Sequence, residues 1–557
     1  MTKNKTIIVV GGSHGGPNAV ARARQADENA KIILIEQAPH IMWAQTSVRS
    51  QLLCEDKMAA LLARDSYFQQ RYNVEVMTRT CAVELDLDSR CLVVEHEKTY
   101  KRLHFDSLIY AGGAQSNRLV VPGFDGERIC HFRDFRDISL IKEAIKEGAK
   151  TATVVGCGFY GVEAALTLKE LGFNVRIIEQ RKRIMQSFSL AFSQSIVDHL
   201  KQAGIEILLG AQIKDAETQA DNSLKLRLES NEIIESDLVV VCIGLTPRTS
   251  LLVNAGAALD PDGLIRVDDS MATTLPNVYA CGSSVSVPMV VTHQRKWVPH
   301  PAIVLRTAHI AGFNAAINDP ALIDHLKPFC GTLYTKIHET SFARTGLSEQ
   351  EARSFFREDN TFVTTVFGSA EDSFLCQQEM CVRLLVDKNK GCIIGGEVYG
   401  QKGVDRTIDL ISVAVSEAWA PEKLVDLDMA FLLDSGPVFD PLKVAATRAK
   451  MALIEGETSI SAEQLALWVA SKVDFRLVDV GETAMFTGYT QKKIQHLPLE
   501  SLREHLNELS KEDTPIVLYS RSGYRSYLAQ RLLKQRGIKN VFHLDGGLAT
   551  WNLVLKE

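Results

Sequence analysis

The 557-residue sequence contains no apolar run approaching the roughly 20 residues needed to cross a bilayer. Its start is basic, with Lys3 and Lys5, but only four consecutive apolar residues, Ile7 to Val10, precede the first glycines. A secretory core needs roughly 7–15, so this segment reads as a first strand, and the expected location is the cytoplasm. The eleven cysteines include no CxxC pair and are scattered and odd in number, which points to reduced thiols in place of a disulfide framework. Cys81, Cys91, Cys130 and Cys242 read as small apolar fillers. An excess of positive charge is also lacking: 62 Lys and Arg stand against 68 Asp and Glu, a formal charge of -6, which disfavours a nucleic-acid binder. What is present is an ordinary globular composition, 46% apolar and 23% charged. The chain is too long for one core, so three or four domains are expected.

Thr6 to Val10 is an apolar strand that opens into Gly11-Gly12-Ser13-His14-Gly15-Gly16, followed by a helical stretch, Asn18 to Ala26. A second strand, Lys31 to Ile35, ends at Glu36. This strand–glycine turn–helix–strand–acid order is that of a dinucleotide site. Glycines let the backbone approach a pyrophosphate, and the helix N-terminus supplies N–H groups and positive dipole. Glu36 would accept the hydroxyls of the adenosine ribose. His14 is unusual in such a turn; it reads as a solvent-facing loop residue or as a group acting near the bound cofactor. Phe105 to Ala114 is a strand closing on small residues, among them Gly112 and Gly113.

A second unit repeats the layout. The strand Thr153 to Val155 leads into Gly156-Cys157-Gly158-Phe159-Tyr160-Gly161, a complete GxGxxG, then Glu163, a helix from Ala164 to Leu171, and a strand, Asn174 to Ile178, ending at Glu179. One such glycine turn is weak evidence; two in one chain, each followed by an acid, are strong. Glu179 would bond the 2′-hydroxyl of NADH and repel the extra phosphate of NADPH. Arg181, Lys182 and Arg183 follow at once, as a solvated turn or as a partial offset to that repulsion. Leu238 to Ile243 is a further strand ending at Gly244, where the chain would cross back to the first fold. Gly263 to Gly282 reads as strand, loop and strand, ending in Val278-Tyr279-Ala280-Cys281-Gly282-Ser283.

On these residues the chain resembles the pyridine nucleotide–disulfide oxidoreductases, in particular the coenzyme A-disulfide and persulfide reductases fused to a C-terminal rhodanese domain. Phe342 to Glu349 and Gly395 to Gly400 match segments of the family's dimerisation domain. Phe475 to Val480, Leu544-Asp545-Gly546-Gly547 and Trp551 resemble a rhodanese, as does the loop Tyr519 to Ser526 leading into a helix, Tyr527 to Gln535. The resemblance implies an α/β architecture of two Rossmann-like dinucleotide-binding domains, an α+β dimerisation domain and a C-terminal α/β rhodanese-like domain. The implied boundaries are residues 1–120 and 245–325 for FAD, 121–244 for NAD(P)H, 326–450 for dimerisation and 460–557 for the rhodanese-like module. FAD and NADH, with NADPH less favoured, are the implied cofactors, a homodimer the implied assembly, and neither a metal nor a membrane is expected. Glu163 is placed near flavin and nicotinamide by the same likeness.

The chain departs from these relatives where they handle sulfur. The redox cysteine of the family falls on Thr46 in Trp43-Ala44-Gln45-Thr46, and the persulfide-carrying cysteine of rhodaneses falls on Ser520. A hydroxyl forms no mixed disulfide and carries no sulfane sulfur. Cys54, eight residues on, would substitute only in a rebuilt segment and reads as a buried structural residue. The rhodanese arginine is replaced by Gly481, and its GHI by Gly488-Tyr489-Thr490. Two family tyrosines are missing at Phe431-Leu432-Leu433-Asp434 and near Ser373-Phe374. The acid that binds the flavin's ribityl chain is Ser283 here. The expected activity is therefore hydride transfer from NADH to FAD and on to a non-disulfide acceptor such as oxygen, a quinone or a small organic electrophile. The rhodanese-like loop remains an anion cradle, a protein-docking surface or a structural remnant. A reductase using another thiol, and a non-enzymatic flavin-binding scaffold, are the alternatives.

Overall fold

The computed structural model describes residues 4–42, 48–54, 64–357, 360–373, 376–430, 440–456, 459–484, 494–510 and 514–554. They form two compact units: residues 1–181, 205–289 and 293–328 make the first, and 182–204, 290–292 and 329–557 the second. Among the described residues no helix is long and apolar enough to cross a membrane.

The first unit is built on two five-stranded parallel sheets. One has the order Val278–Ala280, Ser107–Tyr110, Thr6–Val10, Lys31–Ile35, Val74–Met77. Its central strand is buried along Ile7–Val10, as expected of a parallel strand covered on both faces. Helices Gly15–Ala26 and Pro301–Ala316 pack together very closely. A Cβ on Gly312 would stand 2.3 Å from the carbonyl oxygen of Ala19, so only glycine allows that approach. The other sheet has the order Glu206–Leu209, Asn174–Glu179, Thr151–Val155, Leu238–Val241, Ile129–Cys130. Short strands Ala114–Ser116 and Leu245–Pro247 pair antiparallel where the chain leaves the first fold and where it returns. The strand expected at the start of Gly263–Gly282 is not a strand: Ile265 and Val267 make only isolated bridges. The helix expected from Ala164 starts five residues earlier, at Phe159, with Gly158 as its N-cap.

In the second unit, five antiparallel strands run in the order Leu333–Ile337, Thr340–Gly346, Cys392–Gly400, Cys376–Asp387, Thr361–Ser373. Helices Val404–Ser416 and Pro441–Glu455 share a core with them, through residues such as Ile411, Ala445 and Val382. A parallel sheet follows, in the order Ser459–Ile460, Val541–Leu544, Ile516–Tyr519, Arg476–Asp479, Ile494–His496. Trp551, fully buried, anchors its core with Leu477, Val517 and Leu544.

Buried polar groups tie the two sheets of this unit together. Arg383 donates to Glu349 Oε2 at 2.5 Å and to Glu463 Oε1 at 3.4 Å, and Glu463 lies in the first turn of helix Ala462–Ala470. Asp545 accepts the backbone N–H of Thr365 at 2.7 Å. Burial pushes the Asp545 carboxyl up to about 7, against the pull of Arg383 and Arg448. A folded-state pKa above the unfolded value of 3.8 means that the folded state binds the proton more tightly. The associated stability is therefore complete at low pH and is lost as pH rises to about 7. Thermal unfolding midpoints of the wild type should fall through this interval relative to those of Asp545→Asn, whose amide keeps the acceptor but does not titrate. Parallel pH profiles for the two proteins would show the reading to be wrong.

Candidate functional site

The two glycine turns of the first unit are built on one plan. Gly11 and Gly156 end their strands at φ 104° and 97°. A Cβ there would meet a neighbouring strand's carbonyl, Ala111 O at 2.3 Å or Cys242 O at 2.5 Å. At the last position of each turn, a Cβ on Gly16 would stand 1.7 Å from Gly11 O, and one on Gly161 2.1 Å from Gly156 O. Helix and strand meet at these points, and only glycine fits. Each turn is held by the acid at the end of the next strand. Glu36 accepts from Gly12 N–H at 2.5 Å and Ala38 N–H at 2.7 Å; Glu179 accepts from Cys157 N–H at 2.8 Å and Arg181 N–H at 2.9 Å.

The middle position separates the two. Gly158 has an ordinary φ of -87°, and a Cβ added to it meets nothing within 4 Å. Neither strain nor packing calls for glycine, so the open space in front of it is a cradle that a dinucleotide phosphate fits. The equivalent residue in the first turn is Ser13, which brings a side chain to that point.

The other sequence-predicted residues of this unit gather around the same sheet ends. The Cβ that Gly15 lacks would touch Ala111, Val304 and Cys281, which draws the first turn, the Gly112-Gly113 segment and the Gly282-Ser283 segment together. Gly113 and Gly282 have φ of 67° and 77°. Gly282 N–H donates to Thr307 Oγ1 at 3.0 Å, and the Ser283 carbonyl accepts from Trp297 Nε1 at 3.0 Å. His14 is the N-cap residue of helix Gly15–Ala26 and is half-buried, so it is not the solvent-facing loop histidine of the first expectation; burial lowers its pKa. Glu163 lies on the helix after the second turn, its carboxyl pushed up by burial while Arg49 pulls it down. Gly244, at φ 99°, accepts from Asn117 N–H at 3.1 Å beside the crossover strands.

Three residues of this region were missed by the sequence reading. The Tyr110 hydroxyl donates to the Arg248 carbonyl at 3.0 Å, and Arg248 N–H donates to Gly113 O at 2.9 Å. Arg133 reaches Ala114 O at 3.0 Å, beside Tyr160 of the second turn. Only the fold assembles these groups, since they come from distant strand ends with no spacing pattern to announce them.

The thiols differ from expectation. Cys54 is exposed just past the end of the six-residue helix Val48–Leu53, not buried. Cys81 is likewise exposed and Cys91 half-exposed, so neither is a core filler. By contrast, Cys157, Cys242 and Cys281 lie at the cofactor turns, and burial holds all three thiols high, Cys242 and Cys281 at about 12. Thr46 lies outside the described residues, as do the 431–434 and 488–490 segments; Arg181 and Lys182 are exposed.

In the second unit Ser520 is 2% exposed, and its Oγ accepts from Ser526 N–H at 3.3 Å. Its loop is locked by the closing turn: a Cβ on Gly547 would stand 2.2 Å from Ser520 O, and Leu548 N–H donates to that oxygen at 2.9 Å. The helix after the loop begins at Tyr524, three residues before the expected start, with Gly523 at φ 80° as its N-cap. Gly481, at the usual arginine position, donates its N–H to Asp479 Oδ1 at 2.9 Å.

Residues 5–296, more than half of the chain, match the family model described as pyridine nucleotide-disulphide oxidoreductase. The chain belongs to this family. Residues 462–553 match the rhodanese-like domain. Coenzyme A disulfide reductase of Staphylococcus aureus (strain JH9) is 24% identical over 435 residues, covering 76% of this chain and 95% of that protein. The reduced CoADR-RHD protein of Bacillus anthracis superposes with a TM-score of 0.92 at 24% identity, over 100% of this chain and 99% of that one. A NAD-dependent persulfide reductase from A. fulgidus gives 0.87 at 26%, over 98% and 100%. A water-forming NADH oxidase from Lactobacillus brevis gives 0.74 at 22%, over 81% and 99%. Members of the family are FAD-dependent NAD(P)H oxidoreductases, and this chain is an enzyme of that kind.

The open cradle at Gly158 generates a test. Gly158→Ala should fold like the wild type, with an unchanged thermal midpoint, yet bind NADH about tenfold more weakly, a loss of about 1.4 kcal/mol. Gly161→Ala, whose Cβ collides with Gly156 O, should lower the midpoint itself. Equal NADH affinity in Gly158→Ala and wild type by fluorescence titration would refute the cradle.

Proposed function

We propose that this enzyme takes hydride from NADH onto FAD and delivers the electrons to a non-disulfide acceptor, with no protein thiol in the relay. Oxygen, a quinone or a small organic electrophile is the acceptor class. When bound, the two cofactors supply the hydride chemistry itself. The protein's part is to hold them: Gly11, Gly12, Gly15, Gly16 and Glu36 for FAD, and Gly156, Gly158, Gly161 and Glu179 for the nicotinamide cofactor. The two acids pre-order the N–H groups of their turns before any ligand arrives. An acid at position 179 favours NADH, because the 2′-phosphate of NADPH would bring a second negative charge beside it. Glu163 is raised by burial, which suits a group that holds or releases a proton near the reacting rings. Ser283 offers the ribityl chain a neutral bond where relatives offer a carboxylate.

The observation that carries the reading is the state of the sulfur atoms. Threonine and serine stand at the positions the resemblance assigns to the redox and persulfide cysteines. The thiols beside the cofactor turns, Cys157, Cys242 and Cys281, are held protonated at neutral pH, and a thiol attacks only as thiolate. Ser520 faces inward and is bonded to its own helix, which supports a module without sulfurtransferase activity. Exposed Cys54 favours the second reading, a disulfide or persulfide reductase of the kind named among the relatives, working through a displaced thiol. We assign the functional assembly as a homodimer, to be checked by light scattering.

Anaerobic titration of the yellow protein with NADH decides between these readings. We expect about one equivalent to bleach the flavin absorbance with no long-wavelength thiolate-to-flavin band, by the stoichiometry of one hydride per flavin. A band that appears in the wild type and vanishes in Cys54→Ser would overturn the thiol-free reading.

A further inference from the structure

In the second unit, a cleft opens between helices Pro441–Glu455 and Tyr524–Gln535, with strand Val541–Leu544 behind it. It is narrow and open to solvent on one side. At its base lies Arg448, 6% exposed, between the rings of Tyr524 and Tyr527 at 5.5 and 5.2 Å. One of its nitrogens, Nη1, donates to the carbonyl of Thr365 at 3.2 Å; its Nε–H is buried without an acceptor. Among the described residues no carboxylate forms a contact ion pair with this guanidinium, and the charge that acts on it through space is that of the buried Asp545.

The surroundings are cationic. Lys534 and Arg531 line the cleft, and the one carboxylate among its described lining residues, Glu455, is already taken by both terminal nitrogens of Arg531 at 2.6 and 2.8 Å. His543 forms part of the wall, 6% exposed, its Nδ1 also without a partner. Burial, aided by the positive charges of Arg448 and Lys534, pushes its pKa down to about 3, so the ring is neutral and free to donate or accept. A buried cationic N–H left unsatisfied costs more than a neutral one. The same nitrogen lies on the planar edge with which arginine grips oxyanions.

We propose that this cleft binds a small oxyanion of the phosphate or sulfate class, with Arg448 as its first contact and His543 as its second. The ion supplies the acceptor that Arg448 Nε lacks. It would sit where a helix of the antiparallel-sheet layer meets the rhodanese-like module, away from Ser520's buried hydroxyl.

Isothermal titration of full-length, FAD-loaded protein with inorganic phosphate tests the proposal, at constant ionic strength and with NAD+ saturating the dinucleotide cradles. We expect saturable binding that weakens about tenfold in Arg448→Met, the loss of one charge-assisted pair, and less in Arg448→Lys, which keeps the charge but not the fork. Ala452→Leu, which fills the cleft without touching a charge, should abolish binding and covers the case in which Arg448→Met fails to fold. Tighter binding of glycerol phosphate than of inorganic phosphate would identify a phosphate ester as the physiological ligand, and the reverse order a free ion. Absence of saturable heat, or equal heat in wild type and Ala452→Leu, would mean that water alone fills the cleft and would overturn the proposal.

Discussion

The carbonyl oxygens of Gly11 and Gly156 each occupy the place where the last residue of a glycine turn would carry its Cβ, and the cofactor-binding unit depends on that contact. Because Gly16 and Gly161 lack the atom, each helix starts directly over the end of its strand, and its free N–H groups face outward from the sheet. The acids at the ends of the neighbouring strands then fix the turn from below, Glu36 through Gly12 and Glu179 through Cys157. Two copies of this arrangement in one unit give the protein two anion-directed cradles whose shape exists before any ligand does.

A different physics holds the second unit. There Arg383 is surrounded by Glu349, Glu397 and Glu463, and Asp545 is buried against a backbone N–H. Isolated, any of these charges would be costly in the interior; together they hold the rhodanese-like sheet to the antiparallel one. A module bonded in this way, with its loop serine turned inward, suits a wall or a binding surface better than a carrier that must swing. Arg448 Nε, Glu397 Oε2 and His543 Nδ1 are the buried polar atoms of this region left without a hydrogen bond.

Much of this was legible in the sequence because the constraints are local. Glycines at fixed spacing after an apolar strand, and an acid at the end of the next strand, carry their geometry within about thirty residues, and both turns were readable on those grounds. The inward-facing strand runs were readable for the same reason. Properties set by distant contacts were not. Nothing near Cys54 or Cys81 in the chain signals that they are exposed, and nothing near Arg133, Tyr110 or Arg248 signals that they converge beside the crossover. The segment after Gly263 has the apolar pattern of a strand but only isolated bridging partners, and helix Tyr524–Gln535 starts early because Gly523 adopts a left-handed cap that spacing alone does not reveal. His14, half-buried at the head of its helix, shows how a polar residue in a glycine turn can be drawn inward by packing that the local pattern does not record.

Hydroxyls at the two positions that the resemblance assigns to cysteine, Thr46 and Ser520, are proposed to remove disulfide chemistry while leaving flavin reduction in place. Steady-state NADH consumption with coenzyme A disulfide as the acceptor, compared between the wild type and Thr46→Cys, tests this proposal most directly. Negligible disulfide-dependent turnover is expected in the unaltered enzyme, alongside NADH oxidation with a thiol-independent acceptor, and a gain of disulfide reduction in the variant. Rapid reduction of the disulfide by the unaltered enzyme would contradict it.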